Sequence, residues 1–183
     1  MTQEKFYAVT PEIRTSFMDV FAPKVWEGET EGEYQCTLLF NKQSDVATVQ
    51  KAVNDALKDE FGDNVPKGIE MPWKKGEEVT DKEGNVRDGY AGKIVVKTKS
   101  KFKPIILWPD TTQMTDLDSE EFQSGDYARV KVEAKVWTFA GKKGVSCYLK
   151  VIQKTRTGER FGGDVDVSDF SPVAEAEEAG GLF

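Results

Sequence analysis

Between Asp126 and Lys154 the chain carries two long stretches in two-residue alternation, and this pair constrains the fold more than any other feature. DYARVKVEAKVWTFA sets Val130, Val132, Ala134 and Val136 on one side, and Tyr127, Arg129, Lys131, Glu133, Lys135, Trp137 and Phe139 on the other. VSCYLKVIQK repeats the arrangement, with Val145, Cys147, Leu149 and Val151 inward and Tyr148, Lys150 and Lys154 outward. A period of two marks a strand with one buried face. The intervening Gly141-Lys142-Lys143-Gly144 reads as a turn, so the two strands form a hairpin.

Other strands follow from shorter runs. Residues 12–21 place Ile13, Phe17 and Phe21 on one side, and residues 34–40 alternate Tyr34, Cys36, Leu38 and Phe40 against Gln35, Thr37 and Leu39. Residues 92–102 and 104–108 complete the set. One helix is expected: Ser44 as N-cap, Asp45 at the positive end, then Val46, Val49, Val53, Leu57 and Phe61 at helical spacing until Gly62. Residues 63–91, rich in Gly, Pro and charge, form a long loop with a hairpin turn at Glu83-Gly84-Asn85. Five or six strands and one helix predict a mainly β protein, an oligonucleotide-binding (OB) barrel with an inserted loop; a β-sandwich is the alternative.

Several chemistries are excluded. The 183 residues contain no histidine, which removes Ser-His-Asp and Cys-His catalysis and most zinc sites. No P-loop or dinucleotide motif occurs. The two cysteines, Cys36 and Cys147, sit in apolar strands and read as buried free thiols. Asp81, Glu83, Asn85 and Asp88 have carboxylate-cluster chemistry without the spacing of a calcium loop, and Asp116, Asp118, Glu120 and Glu121 read as a solvated connector. No cofactor, no metal and no enzymatic activity are expected. No apolar run reaches the length of a membrane span, and the N-terminus lacks an export signal, so a cytoplasmic location in a host cell is expected.

The net charge of -7 conceals a division. After Arg160 there is no Lys or Arg, while Asp164, Asp166, Asp169, Glu175, Glu177 and Glu178 supply six negatives, so residues 1–160 carry only -1 and all the basic side chains. Residues 1–160 are therefore expected to form the folded domain and 161–183 an acidic, disordered tail. Two aromatics, Phe170 and Phe183, punctuate that tail and suit docking rather than mere solubility.

The outward faces carry the functional signal. Lys93, Lys97, Lys99 and Lys101 share a side of their strand, with no acidic residue from 93 to 103. Single-stranded nucleic acid is held by cations along the phosphates and by rings against unstacked bases. Lys97, Lys99, Lys101, Arg129, Lys131, Lys135 and Lys150 are the phosphate candidates, and Tyr127, Trp137, Phe139 and Tyr148 the stacking ones, with Trp108 a lesser one. The opposing reading is a solvated lysine face whose aromatics are covered by the helix or loop.

Three segments carry a family resemblance. GKIVVKTKSKFKP, FQSGDYARVKVEAKVWTFAGKKGVSCYLKVIQKTRTGERFGG and the acidic DVSDF, with SFMDVFAPK, CTLLFNKQSD and RDGY before them, resemble the phage single-stranded DNA-binding proteins of the DUF2815 type. The resemblance spans most of residues 12–170. It implies an OB-fold protein that covers single strands in phage DNA replication and recombination, with an acidic tail of the kind that contacts polymerase and helicase. The chain continues past DVSDF, leaving both Phe170 and Phe183 as docking aromatics. A strand-annealing protein of recombination, and a β-rich virion or assembly protein without DNA binding, are the rival expectations. Self-association into a homo-oligomer is compatible with either.

Overall fold

The computed structural model describes residues 5–161 and 168–173. Its elements are β1 (Phe6–Val9), β2 (Ile13–Lys24), β3 (Glu33–Phe40), α1 (Ala47–Phe61), β4 (Trp73–Lys75), β5 (Ile94–Ser100), β6 (Ile105–Leu107), β7 (Tyr127–Phe139) and β8 (Lys142–Arg156). With four and three residues, β1 and β4 are too short to announce themselves by periodicity.

β2 pairs antiparallel with β3 and β7, β3 with β5, and β7 with β8, while β5 runs parallel to β8. The circuit β2–β3–β5–β8–β7 closes on itself, which is the expected five-stranded OB barrel. β1 continues along β7 where β2 leaves it, and β6 continues along β8 where β5 leaves it.

The interior is filled by the faces that alternation assigned to it: Cys36, Leu38 and Phe40; Val96; Val130, Val132 and Ala134; Val145, Cys147 and Leu149. Burial pushes both thiols up to about 12, so Cys36 and Cys147 stay protonated and inert at neutral pH. α1 lays Val49, Ala52, Val53, Ala56 and Leu57 into the same core and packs against β1 and β7. It ends at Gly62, as expected, where a left-handed φ of 60° lets the Gly62 N–H reach the Lys58 carbonyl at 2.8 Å. Its start differs. Ser44 lies inside a 3-10 turn, Gln43–Val46, that feeds the helix, and its hydroxyl caps nothing.

Two departures from strict alternation reposition side chains, and a third feature covers part of an outer face. The first is in β8: Lys131 pairs with Val151 but Val132 with Leu149, so Lys150 is an extra residue. A bulge reverses the facing of everything beyond it. Val151 therefore turns half-exposed and Ile152 is buried. Lys154, expected outside, is only 9% exposed and faces Asp126. The second is in β2, where Ser16 pairs with Thr37 and Asp19 with Gln35, inserting one residue at Phe17. Phe17 consequently leaves the face of Ile13 and stands exposed.

The third concerns β3, whose outer face is not free along its whole length. Leu39 and Val95 are covered by Val79 and Tyr90 of the long loop and by Phe161, which together make a second small core. The loop's hairpin is present, with Thr80 bridged to Val86 around Gly84. The Asp81 carboxylate is used within it, accepting the N–H groups of Glu83 and Asn85. The β7–β8 turn is tighter than expected: Phe139 pairs with Lys142, leaving only Ala140-Gly141 between, both with positive φ, as a two-residue hairpin requires. Among the described residues no helix is long and apolar enough to cross a membrane.

Candidate nucleic-acid interface

In an OB barrel the outer face of the second and third strands, with the loops after the first and fourth, forms the oligonucleotide site. Here those strands are β3 and β5, and a groove of about 400 Å³ lies there. Its floor is Gln35, Val95, Lys97 and Lys99; Trp26 of the β2–β3 connection, Lys74 of β4 and Trp137 of β7 stand around it. Lys97 and Lys99 point outward because Thr98 and Ser100, their neighbours, are buried in the barrel. Both lysines are exposed, and among the described residues neither is held by a carboxylate.

The aromatic wall depends on a glycine. Trp137 and Gly144 are cross-strand partners, and a Cβ on Gly144 would fall 2.4 Å from the indole Cζ2. The missing side chain lets the ring lie against β8. Two residues on, and on the same side of β7, Phe139 stands 77% exposed beside the hairpin tip. Trp26 is 49% exposed with the Lys24 ammonium 4.3 Å from its ring centre. Trp26 and Lys74 are members that alternation could not supply, since the first is in a loop and the second in a three-residue strand; Gln35 lies on the face that alternation set opposite Cys36.

The remaining candidates are separated from this groove or already engaged. On β7 and β8, Glu133 is buried on the outer face with its side chain 5% exposed, 3.1 Å from Lys150 and 3.8 Å from Lys135. Lys135 also lies 5.1 Å from the centre of the Tyr148 ring, and Lys131 4.6 Å from that of Tyr7 on β1. This patch adjoins the groove where Lys135 pairs with Ser146, a lining residue, and where Tyr148 pairs with Lys99. Arg129 and Tyr127 sit eight and ten residues along β7 from Trp137, near the other end of the strand, and Tyr127 is capped by the Arg156 guanidinium at 3.6 Å. Lys101 faces the acidic β2–β3 connection, Gly28 to Glu33. Trp108 packs against the core rather than presenting a ring. The face that looked uniform in sequence is thus divided: an open groove on β3–β5, an internally neutralised patch on β7–β8, and a distal pair.

Of the tail residues, Asp169 and Phe170 are described, and both are exposed. Asp164, Asp166, Glu175, Glu177, Glu178 and Phe183 lie outside the described residues. Phe161 is packed on the body: its ring meets Tyr90 edge-on at 6.5 Å, with the Arg14 guanidinium 4.1 Å from its centre.

Known proteins match this arrangement. The protein p50 of Acyrthosiphon pisum secondary endosymbiont phage 1 is 25% identical over 173 residues, covering 91% of this chain and 93% of p50. The single-stranded DNA-binding protein of bacteriophage Enc34, solved in complex with ssDNA, superposes with a TM-score of 0.68 at 16% identity, covering 86% of this chain and 90% of that one. Bacteriophage T7 gp2.5, a single-stranded DNA binding protein, superposes with a TM-score of 0.60 at 14% identity, covering 94% of this chain and 100% of that one. The family model described as Enterobacter phage Enc34, ssDNA-binding protein, matches residues 6–180. With nearly the whole length matched, the chain belongs to the phage Enc34 ssDNA-binding protein family.

Proposed function

We propose that this protein binds single-stranded DNA without sequence preference, in the groove over β3 and β5. The observation that carries the reading is the pair Lys97 and Lys99, two outward ammonium groups without a carboxylate partner among the described residues, on a floor bounded by Trp26 and Trp137. Cations follow the phosphates and rings stack on any base, each stacked base contributing about 1–3 kcal/mol. Family membership supports the same reading. Phe139 and Tyr148 extend the surface at its margins, and Lys101 stands beyond it against the acidic β2–β3 connection. Lys135 and Lys150 contribute less because both face Glu133, and Lys131, Arg129 and Tyr127 because they lie six, eight and ten residues along β7 from Trp137.

The biological setting we infer is phage DNA replication and recombination, in the host cytoplasm. The acidic segment after Phe161 serves as a recruiting arm for replication proteins such as polymerase and helicase, with Phe170 or Phe183 as the docking ring, and competes with DNA for the basic groove.

Tryptophan fluorescence tests the binding. Trp73 and Trp108 pack on the core, so quenching by oligo-dT reports Trp26 and Trp137. Strong quenching at low salt that weakens as salt rises is expected; unchanged emission at micromolar protein would refute the groove.

A further inference from the structure

The DNA track has a second stacking station on the β2 side of the groove, formed by Phe17 and Arg87; so we infer from a strained residue that the fold itself does not need. Phe17 has φ 45°, a left-handed conformation that side chains other than glycine rarely adopt. It occupies the extra position of the β2 bulge, where glycine is the residue at ease. The bulge has a structural purpose, since it lets Ser16 and Asp19 both face outward while Met18 packs on the core and Val20 is buried in it. Its ring does not share that purpose. Phe17 remains 44% exposed, so core burial does not offset the strain.

What the ring meets is a cation. The Arg87 guanidinium, delivered by the long loop, lies 4.8 Å from the Phe17 ring centre. A phenyl ring beside a guanidinium is the pairing that takes a base on the ring and the adjoining phosphate on the charge.

The location joins this pair to the groove. Asp19, two residues beyond Phe17, accepts a hydrogen bond from Gln35 of the groove floor at 2.7 Å. On the other flank, the Ser16 hydroxyl meets the Tyr90 hydroxyl at 2.7 Å, and Tyr90 belongs to the cover at the end of the same face. β2 and β5 lie on either side of β3, so Phe17 stands about 10 Å, two strand spacings, from the line of Lys97 and Lys99. A strand that crosses β5, β3 and β2 in turn meets the lysines and then this pair. The inference rests on the groove reading and extends it.

Three variants test it: Phe17→Gly, Phe17→Tyr and Arg87→Gln, each titrated with oligo-dT beside Trp137→Ala. Phe17→Gly removes the ring and relieves the backbone, so its thermal midpoint should hold or rise while affinity falls about fivefold or more. Phe17→Tyr keeps the ring and should bind within twofold of the parent. Arg87→Gln should weaken binding and flatten its salt dependence. Wild-type affinity in Phe17→Gly, or a lowered midpoint with affinity retained, overturns the station. In that event a continued loss in Trp137→Ala shows that the groove stands without it, whereas wild-type binding by Trp137→Ala too would bring down the groove reading itself.

Discussion

Trp137 lies against its cross-strand partner Gly144 so closely that the indole occupies the space a Cβ would need, 2.4 Å away. The ring is therefore positioned from below by an absent side chain. Gly144→Ala should keep the barrel but tilt the indole, shifting its emission and weakening oligo-dT binding. Trp137→Ala should cost about 1–3 kcal/mol of binding, the loss of one stacked base. A Gly144→Ala protein that binds as tightly as the parent would show that the ring's seat is immaterial.

Charge removal separates the two lysine sets. Lys97→Ala and Lys99→Ala should each reduce the magnitude of the log–log salt slope by about 0.7, one phosphate contact on a single strand. Lys135→Ala and Lys150→Ala should change it less, since both ammonium groups already face Glu133. Salt titrations of the four variants decide this; equal effects from all four would argue for one continuous basic face.

Asp126 is the electrostatic keystone of the barrel's far end. Burial, the largest influence, pushes its carboxyl up, but the N–H groups of Gln123 and Gly158, with Arg160 and Lys154, together hold it below the usual carboxylate range. Its lowered folded value means that its contribution to stability is present above the unfolded value near 4 and is lost as pH falls through the folded one. Asp126→Asn leaves the buried Lys154 without its counter-charge and should destabilise the fold by about 3–5 kcal/mol at neutral pH. It should also flatten the acid limb of the stability curve. Urea unfolding between pH 2 and 7 measures both.

Removing residues 162–183, while keeping Phe161, should tighten oligo-dT binding at low salt, because the six carboxylates proposed to compete for the lysines leave with them. Unchanged affinity would count against self-competition. The cut matters: beginning it at residue 161 would also strip a ring that packs on Tyr90.

The barrel was legible because its strands obey period two over seven or more residues. The interior Val130, Val132, Ala134, Val145, Cys147 and Leu149 all follow from alternation alone. Alternation fails where the backbone inserts a residue. Past the bulge at Lys150 it mistakes Lys154 for a surface lysine, and at Phe17 it assigns an exposed ring to the face of Ile13. A bulge leaves no mark in composition, so only pairing register reveals it. The site was half legible for a different reason. Lys97, Lys99 and Trp137 lie on regular strands, but Trp26 reaches the groove from a loop and Lys74 from a three-residue strand that pairs with β5. The quenching of Lys135 and Lys150 by Glu133 is a matter of burial, which periodicity does not report.

The Phe161 anchor has a kinetic meaning. Phe161 packs on the small core of Leu39, Val79, Tyr90 and Val95, and two of these, Val79 and Val95, also line the groove. The acidic segment is thus rooted at the mouth of the site it would contest. If the segment competes as proposed, its encounter with the lysines would be first order, governed by tether length instead of how many copies the cell holds. Dilution would loosen the hold on DNA while leaving the intramolecular rival at full strength.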